Sequence, residues 1–214
     1  TIRPEQLTGG VEGRDFELPR GDLTRVLYDL VRDDCEFVFG DSIAAMHEDR
    51  DGVDVEFVSG SRRRFGLVIG ADGLHSNTRR LGFGPEAQFE RYLGFCFVGF
   101  TMANDLGLAH EGVTCNTPGK AAVLFAAGDS ERMHAFLMFA WPRSPFGEYP
   151  DLAAQRGLVA DVFRGAGWQV PRMLAALAVA DDAFFDVASQ IHMPCWPRGR
   201  RRRSARSARA TSTA

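Results

Sequence analysis

Phe65-Gly66-Leu67-Val68-Ile69-Gly70-Ala71-Asp72-Gly73-Leu74-His75-Ser76-Asn77-Thr78-Arg79-Arg80 is the stretch from which fold and chemistry are read. Phe65 to Ile69 is a nearly continuous apolar run, the pattern of a strand buried on both faces. Such a strand delivers Asp72 at its C-terminal end. Gly70 and Gly73 let the backbone turn tightly and let a ligand approach closely. Ser76 is placed to cap a short helix through Thr78, Arg79, Arg80 and Leu81, whose first amides would be open to a phosphate. The same spacing suits a plain strand-turn-helix junction in which Asp72 satisfies local amides. Spacing alone leaves both readings open.

Upstream, residues 1 to 14 are polar and glycine-rich and read as a loop. Asp22 is placed to cap a helix in which Leu23, Val26, Leu27, Leu30 and Val31 recur at helical spacing. A short strand is expected at Glu36 to Phe39. Val53, Val55 and Phe57 alternate with Asp54 and Glu56, as in a half-buried strand, and Ser59-Gly60-Ser61 turns the chain. Downstream, Tyr92 to Met102 is aromatic and apolar. Strand-like runs at 113–117, 121–127 and 133–141, separated by turn residues, predict an antiparallel meander. Helices are expected at Leu152 to Phe163 and Pro171 to Ala178, then a returning strand from Ala183 to Met193. No internal repeat is evident.

The 214 residues, 45% hydrophobic and 25% charged, exclude a wholly disordered or collagen-like chain. No apolar run approaches the roughly 18 residues of a membrane span, and Thr1-Ile2-Arg3-Pro4-Glu5 lacks the layout of a signal peptide, so a cytoplasmic location is expected by default. The net charge of −3 is uneven: setting aside the seven arginines of residues 198–214 leaves 18 basic against 28 acidic groups. Lys120 is the one lysine, a bias expected of a GC-rich coding sequence rather than of a nucleic-acid binder. The four cysteines, Cys35, Cys96, Cys115 and Cys195, form no C-x-x-C pair and read as reduced, buried small hydrophobes. The five histidines are dispersed, so no metal site is expected.

Gly70-Ala71-Asp72-Gly73-x-x-Ser76-x-x-Arg79 resembles the Asp-Gly fingerprint of the class A flavin-dependent monooxygenases, the p-hydroxybenzoate hydroxylase-like group. Leu18-Pro19-Arg20-Gly21-Asp22-Leu23 resembles that family's Arg-x-x-Leu element opening a helix, about fifty residues upstream. The turn at Asp51-Gly52-Val53 is similar, as is Ser189-Gln190-Ile191-His192 to Trp196-Pro197-Arg198-Gly199, which looks like the approach to the last FAD strand. The resemblance covers roughly residues 10 to 199. It implies that Arg20 contacts FAD near the pyrophosphate and ribityl region, and that Asp72 lies at the FAD pyrophosphate and bears on pyridine nucleotide use. It implies reduction of FAD by NADPH or NADH and oxygen-dependent hydroxylation of an aromatic or polyketide-like small molecule. The cofactor carries that chemistry, so no protein nucleophile is required.

Two family features are missing. The sequence starts after the point where the family has a strand and Gly-x-Gly-x-x-Gly. The near-match Gly82-Phe83-Gly84-Pro85-Glu86-Ala87 follows a helix and is rejected. No Gly-Asp follows Gly199, where the sequence switches to Arg, Ser, Ala and Thr as a shifted GC-rich frame would. The chain is therefore read as a truncated fragment, and whether it keeps activity or FAD binding stays open.

The expected architecture is α/β plus α+β: a partial FAD-binding, three-layer Rossmann-like domain at 1–85, a substrate domain with a large antiparallel or mixed sheet and helices at 86–193, and a basic, disordered tail at 194–214. Phe95, Phe97, Phe100, Phe125, Phe136, Phe139 and Trp141 are expected as sheet core; the resemblance adds that one sheet face roofs a substrate pocket over the flavin ring. The alternative function is a non-catalytic ligand- or partner-binding module derived from the substrate domain. The tail has charge without stacking platforms, so no specific nucleic-acid role is assigned. An unneighboured apolar strand at 65–69 would favour self-association.

Overall fold

The computed structural model describes residues 20–128, 131–146, 148–197, 199 and 201–203, the last three by backbone alone. Its content is mixed α/β, with antiparallel pairing dominating. The chain divides into two compact units. One holds the described residues up to Cys35 together with Gly94–Ala188. The other holds Glu36–Leu93 with the described residues from Ser189 onward. The boundaries expected at 85 and 193 both fall within the second unit.

In the second unit, β1 (Ile43–Glu48), β2 (Val53–Phe57) and β3 (Arg62–Phe65) form an antiparallel sheet. The alternation read at 53–57 is real: Val53 and Val55 are buried and, with Val68, are packed by Ile43, Met46, Phe57 and Phe65. Gly52 closes the β1–β2 turn, where a Cβ would lie 2.8 Å from the Phe65 carbonyl oxygen. The opposite side is a ladder of ion pairs: Arg62 to Glu56 at 3.0 Å, and Arg64 to Asp49 and Asp54 at 2.6 and 2.8 Å.

Several expectations are corrected here. Glu36 to Phe39 is not a strand; Phe37 and Phe39 stack at 5.9 Å, and the strand lies instead at Ile43–Glu48. The apolar run 65–69 is not one strand buried on both faces. Phe65 ends β3, and β4 (Val68–Gly70) begins a separate pairing in which Ile69 is 58% exposed. Its partner is β10 (Arg201–Arg203), parallel to it. These three residues, expected within a disordered tail, are strand; the rest of the tail beyond 203 lies outside the described residues. So does the loop expected at 1–14. No three-layer parallel sheet is present among the described residues.

In the first unit, β5 (Glu90–Ala103), β6 (Glu111–Thr117), β7 (Lys120–Ala126), β8 (Arg132–Ala140) and β9 (Phe184–Ile191) form a sheet of order β6-β7-β8-β5-β9, with β5 and β9 running on into the second unit. The meander at β6-β7-β8 is as the turns predict. One face is closed: Cys96, Val98, Phe100, Leu124, Leu137 and Phe139 are buried. The buried residues of the nearby helices are Gln155, Leu158 and Val159 on α3 (Leu152–Val162) and Val170, Met173 and Leu177 on α4 (Val170–Val179). Phe139 contacts Trp141, Phe163 and Phe185 edge-on or tilted at about 6 Å.

The other face carries Phe97, Phe125, Phe136 and Phe184, half-buried or exposed; Phe125 stacks with His134 and Phe136, and Phe184 meets Phe97 and Phe136 edge-on. Gly99 admits the Phe184 and Phe136 rings, which a Cβ there would approach within 2.5–2.8 Å. The aromatic band thus divides. Phe100 and Phe139 are core, and Phe97, Phe125 and Phe136 are not.

α1 (Arg20–Val31) starts two residues before Asp22, which therefore sits in the first turn rather than at the cap and pairs with Arg25 at 2.5 Å. No residue of this helix is buried. Of the cysteines, only Cys96 is buried; Cys35 and Cys195 are exposed, a correction to the expected burial. No described helix is long and apolar enough to cross a membrane.

Candidate functional site

The site is built on the turn from β4 into a seven-residue helix, α2 (Asn77–Phe83). Gly70 is required by packing: a Cβ would lie 2.8 Å from the Thr78 side chain. Gly73 adopts φ +80, a left-handed conformation, and faces open space with nothing within 4 Å of an added Cβ. Ser76 is the N-cap predicted from the sequence; its Oγ accepts from the Arg79 amide at 2.9 Å.

Asp72 is exposed, yet both its carboxylate oxygens are engaged. Oδ1 accepts from the Ser76 hydroxyl and Oδ2 from the Thr78 amide at 2.8 Å. Burial is the largest single influence on its carboxyl and pushes it up. The Ser76 and Thr78 donors together outweigh burial and hold it below the usual carboxylate range. Asp72 is therefore ionised and fixed in place. The amides of Thr78 and Arg79, expected to be open to a phosphate, are taken by Asp72 and Ser76.

Arg79 closes the turn from beneath. It is fully buried, and its guanidinium donates to the carbonyls of Gly73, at 3.4 Å, and Leu74. It also pairs with Glu86 at 2.8 Å. Glu86 belongs to a single 3-10 turn (Glu86–Gln88) and sets its other oxygen 3.0 Å from Nδ1 of the exposed His75. Neither Arg79's burial nor Glu86's reach was singled out from the sequence. Arg79 is the last position of the fingerprint, whereas Glu86 carries no local signal because its partners lie seven and eleven residues away.

Arg20 is the first residue of α1, with its side chain exposed; its carbonyl accepts from Thr24 Oγ1 at 2.9 Å. Arg20 and Asp72 fall in different units, so each is defined only within its own. An open trough of about 750 Å³ lies over β1–β3, lined by His47, Asp54, Glu56 and Arg62 to Arg64, and does not include Asp72. Its arginines are already ion-paired, which leaves it poorly suited to a charged ligand. No cluster of three or more His, Cys, Asp or Glu side chains able to hold a metal is present among the described residues.

No family model matches the chain. A protein of Legionella longbeachae named flavin-dependent monooxygenase is 31% identical over 87% of this chain and 47% of its own length. Among solved structures, the tetracycline destructase Tet(55) superposes with a TM-score of 0.79 and 30% identity, over 88% of this chain and 50% of that one. Klebsiella pneumoniae HpxO, solved with FAD and uric acid, gives a TM-score of 0.59 and 28% identity, over 86% and 46%. The chain is thus similar in sequence and fold to flavin-dependent monooxygenases. It spans about half the length of the relatives it matches.

Proposed function

We propose that this chain is part of an FAD-dependent monooxygenase that uses NADPH or NADH to hydroxylate an aromatic or polyketide-like small molecule, as in the p-hydroxybenzoate hydroxylase-like group. The observation that carries the reading is the Asp72 turn: an ionised, immobilised carboxylate beside a glycine with open space where a side chain would stand, in a chain similar to flavin-dependent monooxygenases. The residues fit a flavin dinucleotide in one respect and not in another. Gly73 leaves open space for close approach, whereas the α2 amides are already used.

Asp72, Gly73 and Arg20 are the groups assigned to hold FAD, which when bound supplies the redox and oxygen chemistry. Asp72, fixed by Ser76 and Thr78 and ionised at neutral pH, accepts a hydrogen bond from the cofactor and orients it without taking up a proton. Gly73 keeps side-chain bulk out of the contact. The half-buried aromatic face of Phe97, Phe125, Phe136 and Phe184 is the surface assigned to the substrate, and its flat rings suit a planar apolar molecule. No metal, specific nucleic acid or membrane is part of this reading, and the location assigned is cytoplasmic.

The second reading is a non-catalytic ligand- or partner-binding module. It is favoured by the capped α2 amides and by the exposed apolar side chains of α1. NADPH and NADH consumption in the presence of FAD, measured with and without the chain, separates the two. Chain-dependent, FAD-dependent oxidation is expected from the first reading. Consumption no greater than with free FAD, together with retained binding of small aromatic molecules, supports the second.

A further inference from the structure

The Asp72 turn is backed by Arg79, the last position of the fingerprint, and by Glu86, which lies outside it. Arg79 carries a full positive charge at zero exposure. Its Nε has no hydrogen-bond partner among the described residues, so the charge is served only through its terminal nitrogens. Two of the acceptors they reach are the carbonyls of Gly73 and Leu74, the residues that follow Asp72. Glu86, at 2.8 Å, is the carboxylate that neutralises it. A buried cation without its counter-charge is strongly unfavourable, and relief comes from movement of the group or entry of water. Either would release the two carbonyls and with them the Asp72 backbone. Glu86 is itself steadied from the other side by His75, which belongs to the same turn. Pro85, directly before it, restricts the backbone from which it reaches.

We infer that Glu86 is a positioning residue: through Arg79 it holds residues 72–76 in one conformation before any cofactor arrives. That this conformation serves FAD rests on the reading given under Proposed function; the clamp itself does not.

Hydrogen exchange on the unliganded 214-residue chain, in parent, Glu86→Ala and Glu86→Gln forms, tests the clamp without flavin. With Glu86→Ala, the amides of Gly73 to Asn77 are expected to exchange about tenfold faster, the five-stranded sheet being unchanged. Glu86→Gln keeps an acceptor for Arg79 without the charge, and a smaller rise of about threefold is expected. Should Glu86→Ala fail to fold, Glu86→Gln decides. Parental exchange in the loop overturns the proposal, as does a rise shared equally with β5 to β9, which would mark a merely structural loss. FAD titration of the same proteins is the second readout. A dissociation constant raised about tenfold by Glu86→Ala and partly restored by Glu86→Gln is expected from the lost preorganisation. If the parent chain binds no FAD, the flavin reading fails, while the exchange result still decides the clamp.

Discussion

At Ser76 two demands meet in one hydroxyl. Its Oγ accepts the Arg79 amide, capping α2, and donates to Asp72, which in turn takes the Thr78 amide. The side chain is 2% exposed, so water cannot replace it readily. Ser76→Ala is expected to cost about 1–2 kcal/mol, the range of a lost N-cap with a buried partner left unpaired. Urea denaturation checks this, and an unchanged midpoint would show that the cap contributes nothing. The Asp72 turn was legible at this scale because its instructions are local. Glycines, a capping serine and a carboxylate act within six residues. The use to which the amides are put was not, since one spacing serves either a bound phosphate or an internal cap.

At the scale of elements, legibility follows whether a segment's partner is close in sequence. The alternation of Val53, Val55 and Phe57 needs only one packed face, and the strand forms where expected. The meander β6-β7-β8 is likewise written in its turns, and Asp151 caps α3 by accepting the Ala154 amide at 2.8 Å. The run at 65–69 misled because apolar continuity records what a segment tends to bury, not which neighbour it finds. Leu67 and Ile69 are 45% and 58% exposed. Asp22 misled for a different reason: an acid suits a helix's first turn as well as its cap. The same exposed chemistry recurs along α1, where Leu23, Val26, Leu27 and Leu30 are 46–71% exposed. A helix with its whole apolar stripe open invites association. Self-association is therefore expected, and Leu30→Glu should shift the chain toward monomer. Light scattering across a concentration series checks both; a monodisperse parent chain would contradict the expectation.

At the scale of the molecule, two units are each built around their own sheet. The five-stranded sheet closes one face against helices and presents aromatic rings on the other. The second unit pairs charges across its three-stranded sheet. The histidines and cysteines converge nowhere among the described residues, which leaves the Asp72 turn as the feature richest in organised polar chemistry. The chain as a whole is similar to flavin-dependent monooxygenases over about half their length.

The most direct test is titration of the purified chain with FAD, followed by quenching of flavin fluorescence, with Asp72→Asn alongside. Saturable binding by the parent, weakened about tenfold when the charge is removed from a charge-assisted hydrogen bond, is the expected result. Absence of saturable binding, or binding that Asp72→Asn leaves unchanged, would contradict the assignment of this turn to the flavin.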